Sequence, residues 1–195
     1  MDNETPRFRK EFKLWKACEK KGNSARDCLE YVCFDNGFAY ASDGHILAKI
    51  DLKTLTTFDD DEIGCLNGHC IHADVYRLLT HYDNIHIGTT DDGNLTLVVE
   101  VYKNTLTFGL AKKEKIAPPI FESVLKAEGE HKPIEKIGIE KTFLNNLTDA
   151  IGQSRVKMDF YSESSKIIVT PINADYMGVT GLIMPIMTTG TLDLD

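Results

Sequence analysis

Turn signals cut this chain into short β-type runs laid out the same way three times, and that repetition narrows the available folds more than any other feature. Residues 28–34 and 38–41 are separated by Asp35-Asn36-Gly37, a hairpin signal because Asn and Gly tolerate φ > 0. Asp43-Gly44 makes a second turn, 46–52 supplies another strand, and the acidic stretch 56–62 reads as a surface connection. A second cycle begins at Ile71-His72. Val75, Leu78, Leu79 and Tyr82 sit at helical spacing over 73–82, and strand-like runs follow over 84–88, 95–101 and 105–111. Residues 112–119, with Pro118-Pro119, read as a linker. The third cycle predicts a strand over 136–139, a helix over 141–151 and strands over 156–161, 166–171 and 181–187.

The first cycle needs a helix of its own, and residues 6–21 supply the pattern. Thr5-Pro6 is an N-cap followed by a first-turn proline, and Phe8, Phe12 and Trp15 recur at i, i+4, i+7, with Cys18 next. The opposite face carries most of the lysines, and Gly22-Asn23 would stop the helix. Each cycle is thus one helix followed by about three strands, with a period of roughly 50 to 60 residues. Such a unit cannot bury its apolar face alone, so two pair into a domain. An unpaired third predicts association with a neighbour, since half a domain exposes a sheet edge and half a core.

At 195 residues, 42% hydrophobic and 27% charged, the chain has ample material for a core and is not disordered. No apolar run nears the ~18 residues of a membrane span and the charged start lacks a secretion signal, so a cytoplasmic protein with no membrane partner is expected. Five cysteines, an odd number, argue for reduced thiols over a disulfide framework. The net charge of −8 hides an asymmetry: residues 1–21 hold seven basic groups (Arg7, Arg9, Lys10, Lys13, Lys16, Lys20, Lys21) against four acidic ones, leaving −11 for the remainder.

Ala41-Ser42-Asp43-Gly44-His45-Ile46-Leu47-Ala48 resembles the "ATDGHRLA" stretch in the middle domain of the bacterial sliding clamp, the β subunit of the replicative DNA polymerase. Pro119-Ile120-Phe121-Glu122-Ser123-Val124-Leu125 is similar to that family's "PDYRRVL" segment, and Leu182-Ile183-Met184-Pro185-Ile186-Met187 to its closing "VVMPMR". Order and spacing agree over 29–125, and 137–187 is similar to the second half of the last domain. The resemblance implies an α+β, DNA-clamp-like fold of three βαβββ modules, with helices on one face and antiparallel sheets on the other. It further implies a clamp-like domain of two modules over 1–117 (1–57 and 64–117), then a linker and half-domain over 118–195.

The resemblance also implies a non-enzymatic processivity factor without cofactors, which oligomerises around double-stranded DNA and binds replication or repair proteins through a peptide groove. Arg7, Arg9, Lys10, Lys13, Lys16, Lys20 and Lys21 would then offset phosphate charge without reading bases. The other helices offer Arg77 and Lys141 alone. The groove positions carry over as Ser42, Gly44, His45, Ile46, Leu47, Pro119, Ser123, Val124, Leu182, Ile183, Met184, Pro185 and Ile186. Mostly apolar, they suit Leu or Phe side chains of a short peptide. Ile46 and Ser123 each replace a family Arg, which points to altered peptide specificity. The family's ring has twelve modules, so three per chain imply four chains; a dimer that closes no ring is the other solution.

Outside the resemblance, Cys65, His69, Cys70 and His72 are a weak zinc candidate, because Cys-x4-Cys with adjacent His69 and Cys70 is not a usual spacing. Asp59-Asp60-Asp61-Glu62 lacks the glycine and ligand spacing of a calcium loop. Neither a phosphate-cradling loop nor a nucleophile elbow occurs. The leading reading is therefore a sliding-clamp-like tether. The alternative is a clamp-derived adaptor or decoy that binds replication-protein peptides without encircling DNA, and a zinc-dependent enzyme ranks third.

Overall fold

Asn36 (φ 50°) and Gly37 (φ 80°) both adopt left-handed backbone, the requirement of a two-residue hairpin, and so fix the register of the first two strands. These are β1 (Tyr31–Asp35) and β2 (Phe38–Ser42), followed by β3 (Ile46–Asp51). The Asp43 carboxylate accepts from the His45 and Ile46 amides at 2.8 Å, closing the β2–β3 turn. The computed structural model describes residues 6–20, 26–126, 134, 136–162 and 165–186. Thr5, Lys21, Gly22, Asn23 and Met187, named above, lie outside the described residues.

Beyond β3 the chain forms α1 (Leu52–Leu55), α2 (Asp60–Leu66), β4 (His69–His72), α3 (Ala73–Leu79), β5 (Ile85–Thr89), β6 (Leu95–Val101) and β7 (Asn104–Gly109). Next come β8 (Ala111–Lys112), α4 (Lys113–Ile116), α5 (Phe121–Leu125), α6 (Lys141–Ala150), β9 (Val156–Asp159), β10 (Ile167–Pro171) and β11 (Val179–Ile183). An eight-stranded sheet runs β8-β4-β1-β2-β3-β11-β10-β9, and a three-stranded sheet runs β5-β6-β7. All strand pairings among the described residues are antiparallel. The fold is α+β, with α3, α6 and a 3-10 turn at Leu14–Lys16 layered over the sheets. Between the layers lies one core, which draws on all three modules. No helix among the described residues is long and apolar enough to cross a membrane.

The second and third cycles keep the expected order of helix then three strands; the first does not. Instead of a helix over 6–21, Phe8 bridges Thr56, the Arg9 amide donates to the Leu55 carbonyl at 2.9 Å, and Leu14–Lys16 is a single 3-10 turn. The physical reason is that Phe8, Phe12, Leu14, Ala17 and Cys18 are all buried. At about 100° per residue they spread around a helical wheel, so no helix could bury them on one face.

Three smaller readings also change. The acidic 56–62 connection carries α2, whose start is a capping box: Asp59 accepts from the Glu62 amide and Glu62 reaches back to the Asp59 amide. The strand expected over 136–139 reduces to one bridge, Gly138 with Ile186. The 112–119 linker takes in the last residue of β8 and all of α4.

The boundary drawn at 117/118 does not divide the sheet, because β11 pairs with β3 from Val179 opposite Ile50 to Ile183 opposite Ile46. The third module therefore continues the sheet of the first within one chain, with β9 as the end strand. Above this seam α6 lies almost in contact with the strand: a Cβ at Gly181 would sit 2.8 Å from both Leu147 methyls.

Candidate functional site

The β3–β11 seam brings together segments that are 135 residues apart in the chain, Leu47 pairing with Leu182. Strand alternation then divides them between two faces. Ile46 and Ile183 face the inner core, so these two groove candidates are structural. Leu47 and Leu182 face outward and belong to a second cluster with Cys33, Tyr40, Cys70 and Phe121. The seam is extended beyond β11 by the Met184 amide, which donates to the His45 carbonyl at 2.9 Å.

Residues 113–125 form a strap over this outer face, anchored chiefly by Phe121, whose ring stacks on Tyr40 at 4.9 Å and 5°. The next residue, Glu122, accepts from Tyr40 Oη at 2.6 Å and from Lys49 Nζ at 2.5 Å. Hydrogen bonding from Lys49, then from Tyr40, holds the Glu122 carboxyl below its ordinary range. Burial and the same carboxylate push the Tyr40 phenol up. Lys49 also sits 3.9 Å from the centre of the Phe38 ring. At the other end, Lys166 Nζ donates to the Val124 carbonyl at 2.6 Å, which ties the strap to the third module.

The remaining groove candidates take distinct places. Ser42 is buried, its hydroxyl donating to the Ile46 carbonyl at 2.7 Å. Gly44 and His45 form the exposed turn, His45 stacking on Phe143 of α6 at 4.7 Å. Ser123 donates to the Ile120 carbonyl within the strap. Pro119 is exposed beside Asp35 and Asn36 at the β1–β2 hairpin and is not brought to the seam, while Pro185 is half-buried. Val124, Met184 and Ile186 expose about 40% of their surface each, whereas Ile120, 77% exposed, lies away from the seam in a cavity beside Asp35, Asn36 and Lys113. An exposed apolar rim thus borders the seam, while its floor at Leu47 and Leu182 is already covered. Sequence reading missed Phe121, Glu122, Tyr40 and Lys49 as the anchors. The signal was present, since Tyr40 and Lys49 fall on outward-facing strand positions.

The face bearing α3 and α6 holds the basic candidates, and acidic groups oppose several of them. Arg7 donates to the Ile85 carbonyl at 3.1 Å and the Thr57 carbonyl at 3.3 Å, pairs with Glu62 and stacks over Phe58 at 4.5 Å. Lys13 pairs with Asp149 at 3.1 Å and Lys10 with Asp83 at 3.9 Å. Lys16 and Lys20 are exposed beside Lys13 and Arg77 in a concavity of about 710 Å³ that also carries Glu19, Asp43 and Asp74. Arg9 is half-buried.

The weak zinc quartet does not converge. Cys70 faces Cys33, His72 Nε2 lies 3.3 Å from Glu30, and Cys65 is exposed on α2. Among the described residues no group of three or more such side chains is placed to hold a metal ion.

No protein-family model matches this sequence, and no curated relative is found for it. Solved structures are another matter. An H. pylori β clamp in complex with diflunisal matches with a TM-score of 0.60 at 15% identity, over 94% of this chain and 65% of its own. The fold is that of a bacterial sliding clamp. The DNA polymerase III β subunit of Thermotoga maritima matches at TM-score 0.57 and 8% identity, over 93% of this chain and 62% of its own. That of Pseudomonas aeruginosa matches at TM-score 0.57 and 14% identity, over 95% and 68%. The chain therefore spans about two thirds of the length of these clamps, and at such identities the likeness is one of fold.

Proposed function

We propose that this clamp-fold chain is a non-enzymatic replication-associated factor whose working surface is the rim along the β3–β11 seam, where it holds short apolar peptides of partner proteins. The observation that supports this reading is the seam pairing, which sets the Met184 amide on the His45 carbonyl, together with the Lys166 tie that holds Val124 of the strap next to the Ile167–Ile183 pair. Val124, Met184 and Ile186 offer apolar surface there, and Met184 adapts to the shape of a Leu or Phe side chain. Partners are replication or repair proteins, and the chain oligomerises as a dimer or tetramer. Double-stranded DNA is contacted without sequence preference through Arg9, Lys10, Lys13, Lys16 and Lys20, a weak grip because Lys10 and Lys13 face carboxylates.

A second reading is favoured by those same pairings and by the missing basic helix: an adaptor that uses the rim and never encircles DNA. Retention on nicked circular DNA before and after linearisation separates the two. A tether is released when free ends are made; an adaptor shows no such dependence. The rim itself is tested with a fluorescent apolar peptide. Met184→Ala should weaken binding severalfold, and unchanged affinity in Met184→Ala and Val124→Ala would refute the rim.

A further inference from the structure

Cys33 on β1 and Cys70 on β4 are directly opposed across the strand pair, and Cys70 Sγ approaches Cys33 Sγ to 2.7 Å. Opposed residues of an antiparallel pair have Cα atoms about 4.5 or 5.5 Å apart. Both spacings fall inside the window of about 4.4–6.8 Å that a disulfide spans. Both thiols are fully buried on the outer face, in the cluster that Phe121 of the strap joins, with Ile116 and Leu125 at its margin. Neither belongs to the rim or to the basic face. The strap is held by ties that can open: the Tyr40–Phe121 stack, the exposed Glu122 with Lys49, and Lys113 with Asp35.

We propose that Cys33 and Cys70 are a strap-gated redox pair, oxidised by peroxide to a disulfide that stitches the first module to the second. One thiolate attacks a peroxide oxygen, the O–O bond breaks, and a sulfenic acid and water result. The second thiol attacks that sulfur and expels a second water. Two thiols lose two protons and two electrons, and one hydrogen peroxide becomes two waters. While the strap is docked, the contact with Cys70 and burial push the Cys33 thiol up, so it stays protonated and unreactive. Opening of the strap is then the step that admits the oxidant.

The test uses the full chain with Cys65→Ser, which removes the exposed thiol, leaving four cysteines. Hydrogen peroxide should lower the thiol titre from four to two, peptide mapping should link Cys33 to Cys70, and dithiothreitol should restore the titre. Phe121→Ala should speed this by about tenfold or more. Should Phe121→Ala fail to fold, Glu122→Gln loosens the same strap and should speed it in the same direction. A titre that stays at four, a linkage through Cys18 or Cys28, or sulfinic acid without linkage overturns the pair. An oxidation rate unchanged by both strap variants overturns the gate.

Discussion

Residues 6–20 and α6 stand at the same point of their modules, just ahead of three strands, yet one is an irregular ribbon and the other a regular helix. In α6 the Glu140 side chain caps the first turn through the Thr142 amide, and Leu147 and Ala150 are buried, Leu147 directly over Gly181. In the first segment every apolar side chain from Phe8 to Cys18 except Trp15 is buried, including Leu14 and Ala17 opposite the Phe8–Phe12 stripe. A stripe at helical spacing is therefore not sufficient; the residues off the stripe must also be able to face water. The same contrast governs charge, since the ribbon turns the Arg7 guanidinium towards Glu62 and two carbonyls.

The comparison breaks most readily at its aromatic anchors. Phe8 is fully buried against Phe58, Tyr76 and Phe34, so Phe8→Ala should cost about 3–5 kcal/mol in urea unfolding. Phe143 on α6 is half-buried against His45, and Phe143→Ala should cost no more than about 1.5 kcal/mol. Equal losses would erase the distinction between ribbon and helix. Next in size is the seat of α6: Gly181→Ala should destabilise by about 1–3 kcal/mol through overpacking against Leu147. Gly109, with nothing near its missing Cβ, is the control, and Gly109→Ala should lie within about 0.5 kcal/mol of the parent.

The strap extends the comparison to pH. Because the folded Glu122 carboxyl titrates below its ordinary 4.5, its contribution is complete above that value and is lost as pH falls through the depressed folded value. The side chain is half-exposed, so solvent screening limits the effect to below about 1 kcal/mol. The stability gap between the parent and Glu122→Gln should therefore narrow as pH drops below 4.5; a gap that widens would contradict this. The smallest effect concerns the ribbon's cations. Lys16→Gln should lower the salt slope of DNA binding by about 0.9, and Lys13→Gln by less, because Asp149 already opposes Lys13. The reverse order would place Lys13 on the phosphates.

Much of the sheet was legible. The Asn36-Gly37 and Asp43-Gly44 turns and the apolar alternation between them locate β1, β2 and β3 to within a few residues. The helix and three strands of the second and third modules were equally readable. Of the rim, the turn, the strap and the final segment were visible as motifs. Their division into inner and outer faces follows only once Leu47 is set opposite Leu182. The α2 helix was obscured by its acidic start, although Asp59 and Glu62 together are a capping signal.

What the sequence by itself determined is local: where the chain turns, which strands alternate, and that a helix precedes three strands in the second and third cycles. What only the tertiary structure decided is long-range. The closure of β11 on β3, the docking of Phe121 on Tyr40 and the unwinding of 6–20 each join segments remote in sequence. Their partners are chosen by which apolar faces remain uncovered once the local elements exist, and no local spacing encodes that choice.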